Sequence, residues 1–436
     1  MKRNLLKTLC VPLIATFSAV AAWGEVTWYP LTINGVQVTS ENCDNLASIS
    51  GVSLSGSGDI GFKYVPESNT LIMKGVRTVE LLEFALVYTG NKELKVQVRG
   101  KNQLNSQVRF YGPTTIEGDG LLEINETDGY TALLCQKNVS VKDCKIKASG
   151  RFGIWIAPGV TLRLDNAVVV ADGTESASFF EGHLQYTNVW TTEKIKDFNS
   201  DGYAINEKGE VMKHLEYVDY DPNKVLLHED FESGNMPEGW VTKDHDGDGE
   251  VWKPRTDDDG SGFHGSRGML WSKSWWTEKL TPLNGLISPK IEGANRIRFH
   301  VCSIDNSVYF QEHYWLYYTT SDDIEDDQSW EELEGSAWTL TEGAKWFRKE
   351  FDLPEGTKYV GMTHGYCGEN RCALMLDDII FFGKNPHGAV AVTPADEKEA
   401  TIVGYYTIDG RRHNQPQSGV NIVKMSNGKA KKVLFP

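Results

Sequence analysis

The segment that decides the fold begins with Glu229-Asp230-Phe231-Glu232-Ser233-Gly234 and runs to Asp244-His245-Asp246-Gly247-Asp248-Gly249. A second segment about 130 residues later reads Ala373-Leu374-Met375-Leu376-Asp377-Asp378-Ile379. The first and last segments are strand-like runs. Loops rich in Gly, Asp and Trp separate the similar runs between them. This pattern predicts an antiparallel β-sandwich over residues 221–383. The predicted strands are 225–231, 296–304, 314–320, 345–351, 359–363 and 373–382.

Together these segments resemble the opening and closing strands of the cleaved-adhesin (choice-of-anchor J) domain, a calcium-binding jelly roll of Bacteroidetes surface proteins. Further segments add to the resemblance, namely His264-Gly265-Ser266, residues 286–291, Trp346 before Phe351-Asp352-Leu353, and His364-Gly365-Tyr366-Cys367. The resemblance implies a jelly roll that binds a glycan or a host extracellular protein at a cell surface, and a binding protein rather than an enzyme.

Asp244, Asp246 and Asp248 follow a D-x-D-x-D-G pattern, in which three carboxylates can converge on one hard cation while a glycine turns the chain. A complete EF-hand has an acid at loop position 12, where this chain has Arg255, so the loop is not an EF-hand. Residues 221–260 hold twelve acids and four Lys or Arg, a cluster that repels itself without a cation. The resemblance implies Ca²⁺ at this loop. The alternative is a solvated acidic loop.

A second metal site is predicted at Glu232 and Asp378. The first and last strands of a jelly roll are neighbours, and Asp378 lies in an apolar strand where an unpaired charge is costly. A cation shared by the two carboxylates would neutralise this charge. Hydrogen bonds to loop amides are the alternative.

Trp271, Trp275 and Trp276 lie in a polar, glycine-rich context, and we predict that they contact the ligand. Alternatively, they plug one end of the sandwich.

No catalytic residue is predicted, because the sequence has no P-loop, H-E-x-x-H or G-x-S-x-G motif, and His264 and His364 are interpreted as structural loop histidines.

Residues 25–175 carry a loose repeat of two short strands and a polar corner. Its units are 70–76, 94–100, 115–121, 139–144 and 162–167, and aligning Met73, Val98, Ile116, Val141 and Leu164 gives a period near 20–25 residues. This predicts a right-handed parallel β-helix-like solenoid that resembles carbohydrate-binding β-helix modules of bacterial surface proteins. Leucine-rich repeats fit poorly, since their signature is missing, whereas a β-sandwich stays the competitor. Residues from about 176 to 224 have no clear period and are predicted to cap the last coil and connect the two domains, with the boundary at 220/221. A solenoid of this kind also allows an alternative function, a polysaccharide lyase or glycosidase.

The two ends of the chain predict export. Residues 1–24 combine a basic start with a short apolar run and small residues at two candidate cleavage sites, as in a signal peptide, an uncleaved anchor being the alternative. Residues 384–400 are interpreted as a linker. Residues 401–436 hold six Lys or Arg and one Asp, with a predicted hairpin at Asp409-Gly410. This tail resembles the sorting domain of the type IX secretion route, which implies that machinery as a partner. An ordinary β-module is the alternative.

The chain has a net charge of −16, which argues against binding to nucleic acid or anionic membranes. No segment of the mature chain is apolar enough to span a membrane.

Four cysteines are predicted to be buried thiols, namely Cys43, Cys135, Cys144 and Cys302. Cys367 and Cys372, five residues apart in a loop, are candidates for a local disulfide. The predicted location is secreted or attached to the outer-membrane surface.

Overall fold

The computed structural model describes residues 25–56, 61–79, 84–193, 195–275, 278–303 and 308–383, and in the tail 402–407, 412–413, 415, 419–425 and 430–435. The protein is all-β, as predicted, with 53% strand and 4% helix. Contacts divide it into a first unit, Met1–Asp219 with Asp258–Ser266, and a second unit, Tyr220–Asp257 with Arg267–Pro436. The predicted signal peptide and linker lie outside the described residues. Short 3-10 helices are found at Leu46–Ser48, Pro66–Ser68, Pro222–Lys224, Phe263–Gly265 and Asp327–Ser329. No helix of the described residues is long and apolar enough to cross a membrane.

The first unit contains twenty-two described strands. They are β1 Trp28–Ile33, β2 Val36–Thr39, β3 Val52–Leu54, β4 Gly61–Val65, β5 Thr70–Lys74, β6 Val76–Thr78, β7 Phe84–Tyr88, β8 Leu94–Arg99, β9 Lys101–Leu104, β10 Gln107–Phe110, β11 Thr114–Gly118, β12 Leu121–Asn125, β13 Thr131–Cys135, β14 Val139–Lys142, β15 Lys145–Ile156, β16 Thr161–Asp165, β17 Val168–Phe180, β18 His183–Thr187, β19 Trp190–Thr191, β20 Asp197–Phe198, β21 Ala204–Ile205 and β22 His214–Val218.

These strands form the predicted β-solenoid, in which each coil contributes one strand to each of three parallel ladders. One ladder is β5-β8-β11-β14-β16-β18. The other two are β6-β9-β12 and β7-β10-β13, and both continue into the long strands β15 and β17. Inward residues alternate with outward ones, as in β8, where Leu94, Val96 and Val98 are fully buried.

The register corrects one step of the predicted repeat. Met73 pairs with Val98, but Ile116 pairs with Val96 instead of Val98. The series then continues correctly through Val141 and Leu164. The alignment was wrong by two residues because a shift of two keeps every side chain on the same face, and the hydrophobic pattern cannot distinguish the two registers.

The coils extend beyond the predicted end of the repeat. β17 continues to Phe180, and β18 adds a further parallel strand on β16. The chain then reverses, so that β22 runs antiparallel to β17 and places Leu215 and Tyr217 in the core. The predicted cap is therefore coil in its first part and an antiparallel cover in its last.

The second unit contains two six-stranded sheets. Their strands are β23 Val225–Glu229, β24 Val241–Asp244, β25 Lys253–Thr256, β26 Gly268–Lys273, β27 Leu283–Ile287, β28 Ala294–Ser303, β29 His313–Thr319, β30 Trp330–Glu332, β31 Trp338–Thr339, β32 Phe347–Asp352, β33 Tyr359–Gly365 and β34 Ala373–Gly383. One sheet has the order β25-β26-β34-β28-β32, with β23 on β34. The other has the order β24-β27-β33-β29-β30, with β31 on β29. All pairings between these described strands are antiparallel, as the sandwich prediction requires.

The core lies between the two sheets. Phe299, Leu376 and Phe381 project from one sheet, and Leu316 and Met362 project from the other. A sequence run such as 373–382 is apolar at nearly every position because its outer face is also covered, by a small cluster that includes Met269 and Cys302.

The described part of the tail forms one four-stranded antiparallel sheet. Its strands are β35 Ile402–Thr407, the short β36 Arg412–His413, β37 Gly419–Met425 and β38 Ala430–Phe435. The predicted turn at Asp409-Gly410 lies outside the described residues. β35 and β36, the strands on either side of this turn, pair antiparallel, and β35 also pairs with β37, as a small β-module requires.

Candidate functional site

A groove of about 350 Å³ lies on the outer face of the second unit's β24-β27-β33-β29-β30 sheet. The odd-numbered residues of β27, β29 and β33 face this groove, because the even-numbered Leu286, Leu316 and Met362 point into the core. Gly285 and Gly361 occupy two central positions of its lining. A Cβ at Gly285 would lie 2.9 Å from His245 Nε2, and one at Gly361 would lie 3.4 Å from the Trp330 ring. The absence of side chains at these glycines leaves the space open.

Aromatic rings form the walls of the groove. The Tyr366 ring stacks on Trp315 with centroids 5.2 Å apart and an interplanar angle of 15°. Tyr366 is 79% exposed, whereas Trp315 beneath it is buried. Tyr317 packs edge-on against Trp315, and Trp330 lines the groove as well. An exposed ring held flat by a buried one is a preorganised stacking surface.

Polar groups complete the lining. Lys243, His245, Asp327 and Thr363 face the same space. The Lys243 ammonium is held 2.5 Å from Glu325 Oε2, and Glu325 is largely exposed. An apolar floor with a few convergent polar groups is the usual composition of a small-ligand site. This groove was not predicted from the sequence, although the aromatic residues at alternate positions of β29 indicate an aromatic sheet face.

The three acids of the predicted calcium loop do converge. One carboxylate oxygen from each of Asp244, Asp246 and Asp248 lies within 4.8 Å of the others, and all three side chains are exposed. Asp244 accepts hydrogen bonds from the amides of Gly247 (2.7 Å) and Gly249 (2.9 Å), which shape the turn. These amides, Gly249 first, lower the pKa of Asp244. Partial burial and the two neighbouring acids raise the pKa of Asp246. The donors are hard oxygens in a tight turn, and they fit Ca²⁺ with carbonyl or water oxygens in its remaining positions.

Glu232 and Asp378 each have partners of their own. Glu232 Oε1 accepts from the amides of Arg267 (2.8 Å) and Gly268 (2.9 Å), which is the alternative that the sequence left open. Asp378 accepts from His228 Nε2 at 2.6 Å and lies 3.2 Å from His300 Nδ1 and 3.7 Å from Arg298. Neither residue belongs to a group of three or more converging metal-type ligands among the described residues. The shared cation therefore stays a prediction.

Asp378 is the extra residue of a β-bulge, with a φ of 51°. On β28, Arg298 pairs with Ile380 and His300 with Asp377, so two residues of β34 stand opposite Phe299. Burial raises the pKa of Asp378, but hydrogen bonds from His228 and His300 outweigh it and hold this pKa well below its usual range.

The two described members of the predicted tryptophan set, Trp271 and Trp275, do not line the groove. Trp271 is on β26 of the opposite sheet, where it packs against the cluster of Met269, Cys302 and Met375. The cations of Arg255 and Lys273 lie 5.0 and 4.8 Å from its ring centroid. Trp275 is 41% exposed in the turn after β26, and Trp276 lies outside the described residues. Trp271 is thus partly buried against this cluster, and a contact of Trp271 or Trp275 with a ligand stays a prediction.

His364 was expected in a loop, but it lies on β33 and is fully buried. Its Nδ1 is 2.7 Å from Ser272 Oγ, and its Nε2 is 2.9 Å from Glu312 Oε2. Cys367 Sγ is 3.1 Å from the same Nε2. The candidate disulfide between Cys367 and Cys372 is not formed, and the Cys367 thiol faces His364 instead. The other four described cysteines, Cys43, Cys135, Cys144 and Cys302, are buried thiols, as predicted.

Comparison with known proteins bears on the second unit. Residues 224–381 match the model of the Cleaved Adhesin Domain family. Lys-gingipain of Porphyromonas gingivalis is 33% identical over 173 residues, which cover 36% of this chain and 10% of that protein. Hemagglutinin A of the same organism is 32% identical over 189 residues, 38% of this chain and 7% of that protein. The chain thus spans about a tenth or less of the length of these relatives.

Among solved structures, the K1 Cleaved Adhesin domain of Lys-gingipain from P. gingivalis W83 is 30% identical. It aligns over 36% of this chain and 98% of that domain, with a TM-score of 0.32. The predicted resemblance of residues 221–383 to cleaved-adhesin domains is confirmed by the family match. The sorting domain and the export route stay predictions.

Proposed function

We propose that this protein is a secreted or surface-attached adhesin whose second unit binds a glycan in the aromatic groove. The observation that carries the proposal is the Tyr366 ring, exposed on one face and supported on the other by Trp315. Pyranose rings present apolar C–H faces that stack on such surfaces. The family match of residues 224–381 supports a role in adhesion and a binding domain without catalysis of its own.

The polar lining supports a sugar over an apolar ligand. Asp327, Thr363 and His245 offer donors and acceptors at the edge of the aromatic surface, and hydroxyl groups need such partners when they leave water. In this proposal Ca²⁺ at Asp244, Asp246 and Asp248 stabilises the loop that follows β24, the strand that carries Lys243.

The test is a glycan array and an extracellular-matrix panel probed with the full chain in the presence of calcium. Tyr366→Ala is expected to lower affinity about tenfold, since a contacting aromatic ring is worth about 1–2 kcal/mol. Trp330→Ala is expected to act in the same direction. Trp275→Ala is the matched control, an exposed tryptophan of the same unit outside the groove.

The outcome distinguishes the two locations. If Tyr366→Ala and Trp330→Ala lose glycan binding while Trp275→Ala binds normally, the groove is supported as the binding site. The reverse result would return the site to the tryptophans that follow β26. Binding to a matrix protein but to no glycan would contradict the ligand class and leave the adhesin role in place.

A further inference from the structure

Glu312, His364 and Cys367 form a second cluster of possible metal ligands, distinct from the acidic loop. Their ligand atoms all lie within 4.8 Å of one another. Glu312 and His364 are fully buried, and Cys367 is partly exposed. The three residues come from different places, His364 from β33, Glu312 from the residue before β29, and Cys367 from the loop after β33.

The surrounding hydrogen bonds orient these side chains as outer partners of a metal site do. Ser272 Oγ is bonded to His364 Nδ1, which leaves Nε2 directed at Glu312 and Cys367. Asn284 donates to the same Ser272 oxygen at 3.0 Å. Glu312 Oε1 accepts from Ser274 Oγ and from the Cys372 amide, so Oε2 is the oxygen that faces the imidazole. In known sites, such second contacts fix the tautomer and orientation of the ligands.

We propose that Glu312, His364 and Cys367 bind a zinc ion. Nitrogen, sulfur and carboxylate oxygen are the donors of protein zinc sites, whereas Ca²⁺ takes six to eight oxygens. The charges balance as well, because one glutamate and one thiolate neutralise Zn²⁺ in a site that is closed to water on the Glu312 and His364 side. Cys367 is at the solvent side and provides the route of entry.

The distances are close to those of a bound site. Atoms around a tetrahedral zinc ion lie roughly 3.3–3.7 Å apart, given bonds of about 2.0–2.3 Å. The metal-free separations are 2.9 Å for His364 Nε2 to Glu312 Oε2 and 3.1 Å for Nε2 to Cys367 Sγ. Both separations must lengthen by about half an ångström to admit the ion. On binding, the metal replaces the proton on Nε2 and the thiol proton, so up to about two protons are released to solvent.

Zinc would also hold the stacking surface. Tyr366 precedes Cys367 in the chain and has a φ of 53°, and its ring forms the exposed wall of the groove. A metal bond at Cys367 restrains that backbone beside Trp315. Zinc removal is therefore expected to weaken glycan binding at the groove, if that function holds, while the zinc site itself is tested independently of any glycan.

The experiment measures zinc per chain by elemental analysis after dialysis against micromolar Zn²⁺, with Co²⁺ spectra to detect a thiolate–metal band. The wild type is expected to hold one zinc ion. Cys367→Ser and His364→Gln are expected to lose it, whereas Cys302→Ala, a buried thiol of the same unit, and Asp246→Ala in the acidic loop are expected to keep it.

Alkylation of the unaltered chain provides a readout that does not depend on folding of the variants. Zn²⁺ is expected to protect Cys367 from iodoacetamide, as read from its peptide by mass spectrometry. Absence of zinc in the wild type would overturn the proposal. So would full retention by Cys367→Ser, or equal alkylation of Cys367 with and without the metal.

Discussion

The bulge at Asp378 allows a quantitative test of how this strand is stabilised. Its carboxylate is 19% exposed and faces His228, His300 and Arg298, of which the last two are only 1% exposed. Removing one partner of a buried charge cluster costs about 3–5 kcal/mol. Because Asp378 and His228 keep some contact with water, we expect a value near the lower end, about 3 kcal/mol, for Asp378→Ala. Alanine at a positive φ adds about 1 kcal/mol.

Asp378→Asn is the matched control. Asparagine tolerates the left-handed backbone and keeps an acceptor oxygen, so its cost isolates the charge and is expected to be smaller by about 1–2 kcal/mol. The assay is urea unfolding of the full chain, followed by tryptophan fluorescence. A total loss of about 4 kcal/mol corresponds to roughly 8–16 °C in the melting temperature of a unit of this size.

The pH dependence has a defined sign. Burial lowers the pKa of His228, but its bond to Asp378 outweighs this and raises it above the usual value, while the pKa of Asp378 is lowered. The histidine contribution is complete below about pH 6.5 and is lost as pH rises through its folded pKa. The carboxylate contribution is complete above about pH 3.9 and is lost as pH falls through its folded pKa. The gap between wild type and Asp378→Asn is therefore expected to be widest between about pH 4 and 6.5.

Two results would refute this reasoning. A loss below about 1 kcal/mol in both variants would mean that the histidines and Arg298 do not depend on this carboxylate. A wild-type melting temperature that falls on chelation, with no such response in Asp378→Asn, would instead support the cation predicted between Asp378 and Glu232.

Three further predictions concern the acidic loop, the division of the chain and the tail. Calcium is expected to raise the melting temperature of the second unit by mass action, and Asp246→Ala to remove most of that gain; an unchanged melting curve on chelation would contradict the site. Fragments ending near Val218 and starting near Asp221 are each expected to unfold cooperatively, because the two main cores share no residue; failure of both fragments would contradict this boundary. Deletion of residues 401–436 is expected to retain the protein in the periplasm while the rest stays folded and calcium-responsive, as judged by cell fractionation and thermal unfolding; normal surface display would leave the tail as one more β-module.

The sequence predicted the architecture better than the site. Strand alternation and corner spacing are local properties, so the solenoid and the sandwich could be predicted, with an error of one register step at Val98. Asp244, Asp246 and Asp248 also converge as predicted because they are close in the chain. The groove and the Glu312 cluster were not predicted, since their central contacts join Trp315 to Tyr366 and Glu312 to His364, pairs that are more than 50 residues apart and meet through strand pairing. Local composition favoured Trp271, Trp275 and Trp276 as ligand contacts because they are close in the chain. The exposure of an aromatic side chain depends instead on the sheet face to which its strand directs it.

The reversals of chain direction at the ends of the solenoid have a consequence for its behaviour at high concentration. A stack of parallel strands can in principle recruit another molecule at each free edge, as amyloid does. Here β4 lies antiparallel on the first strand of one ladder, β3 and β1 do the same on β6 and β7, and β22 covers β17. At these edges a second copy of the chain meets strands whose direction does not continue the ladder, which disfavours end-to-end fibre growth. β18 is the exception, because it ends its ladder as a parallel strand.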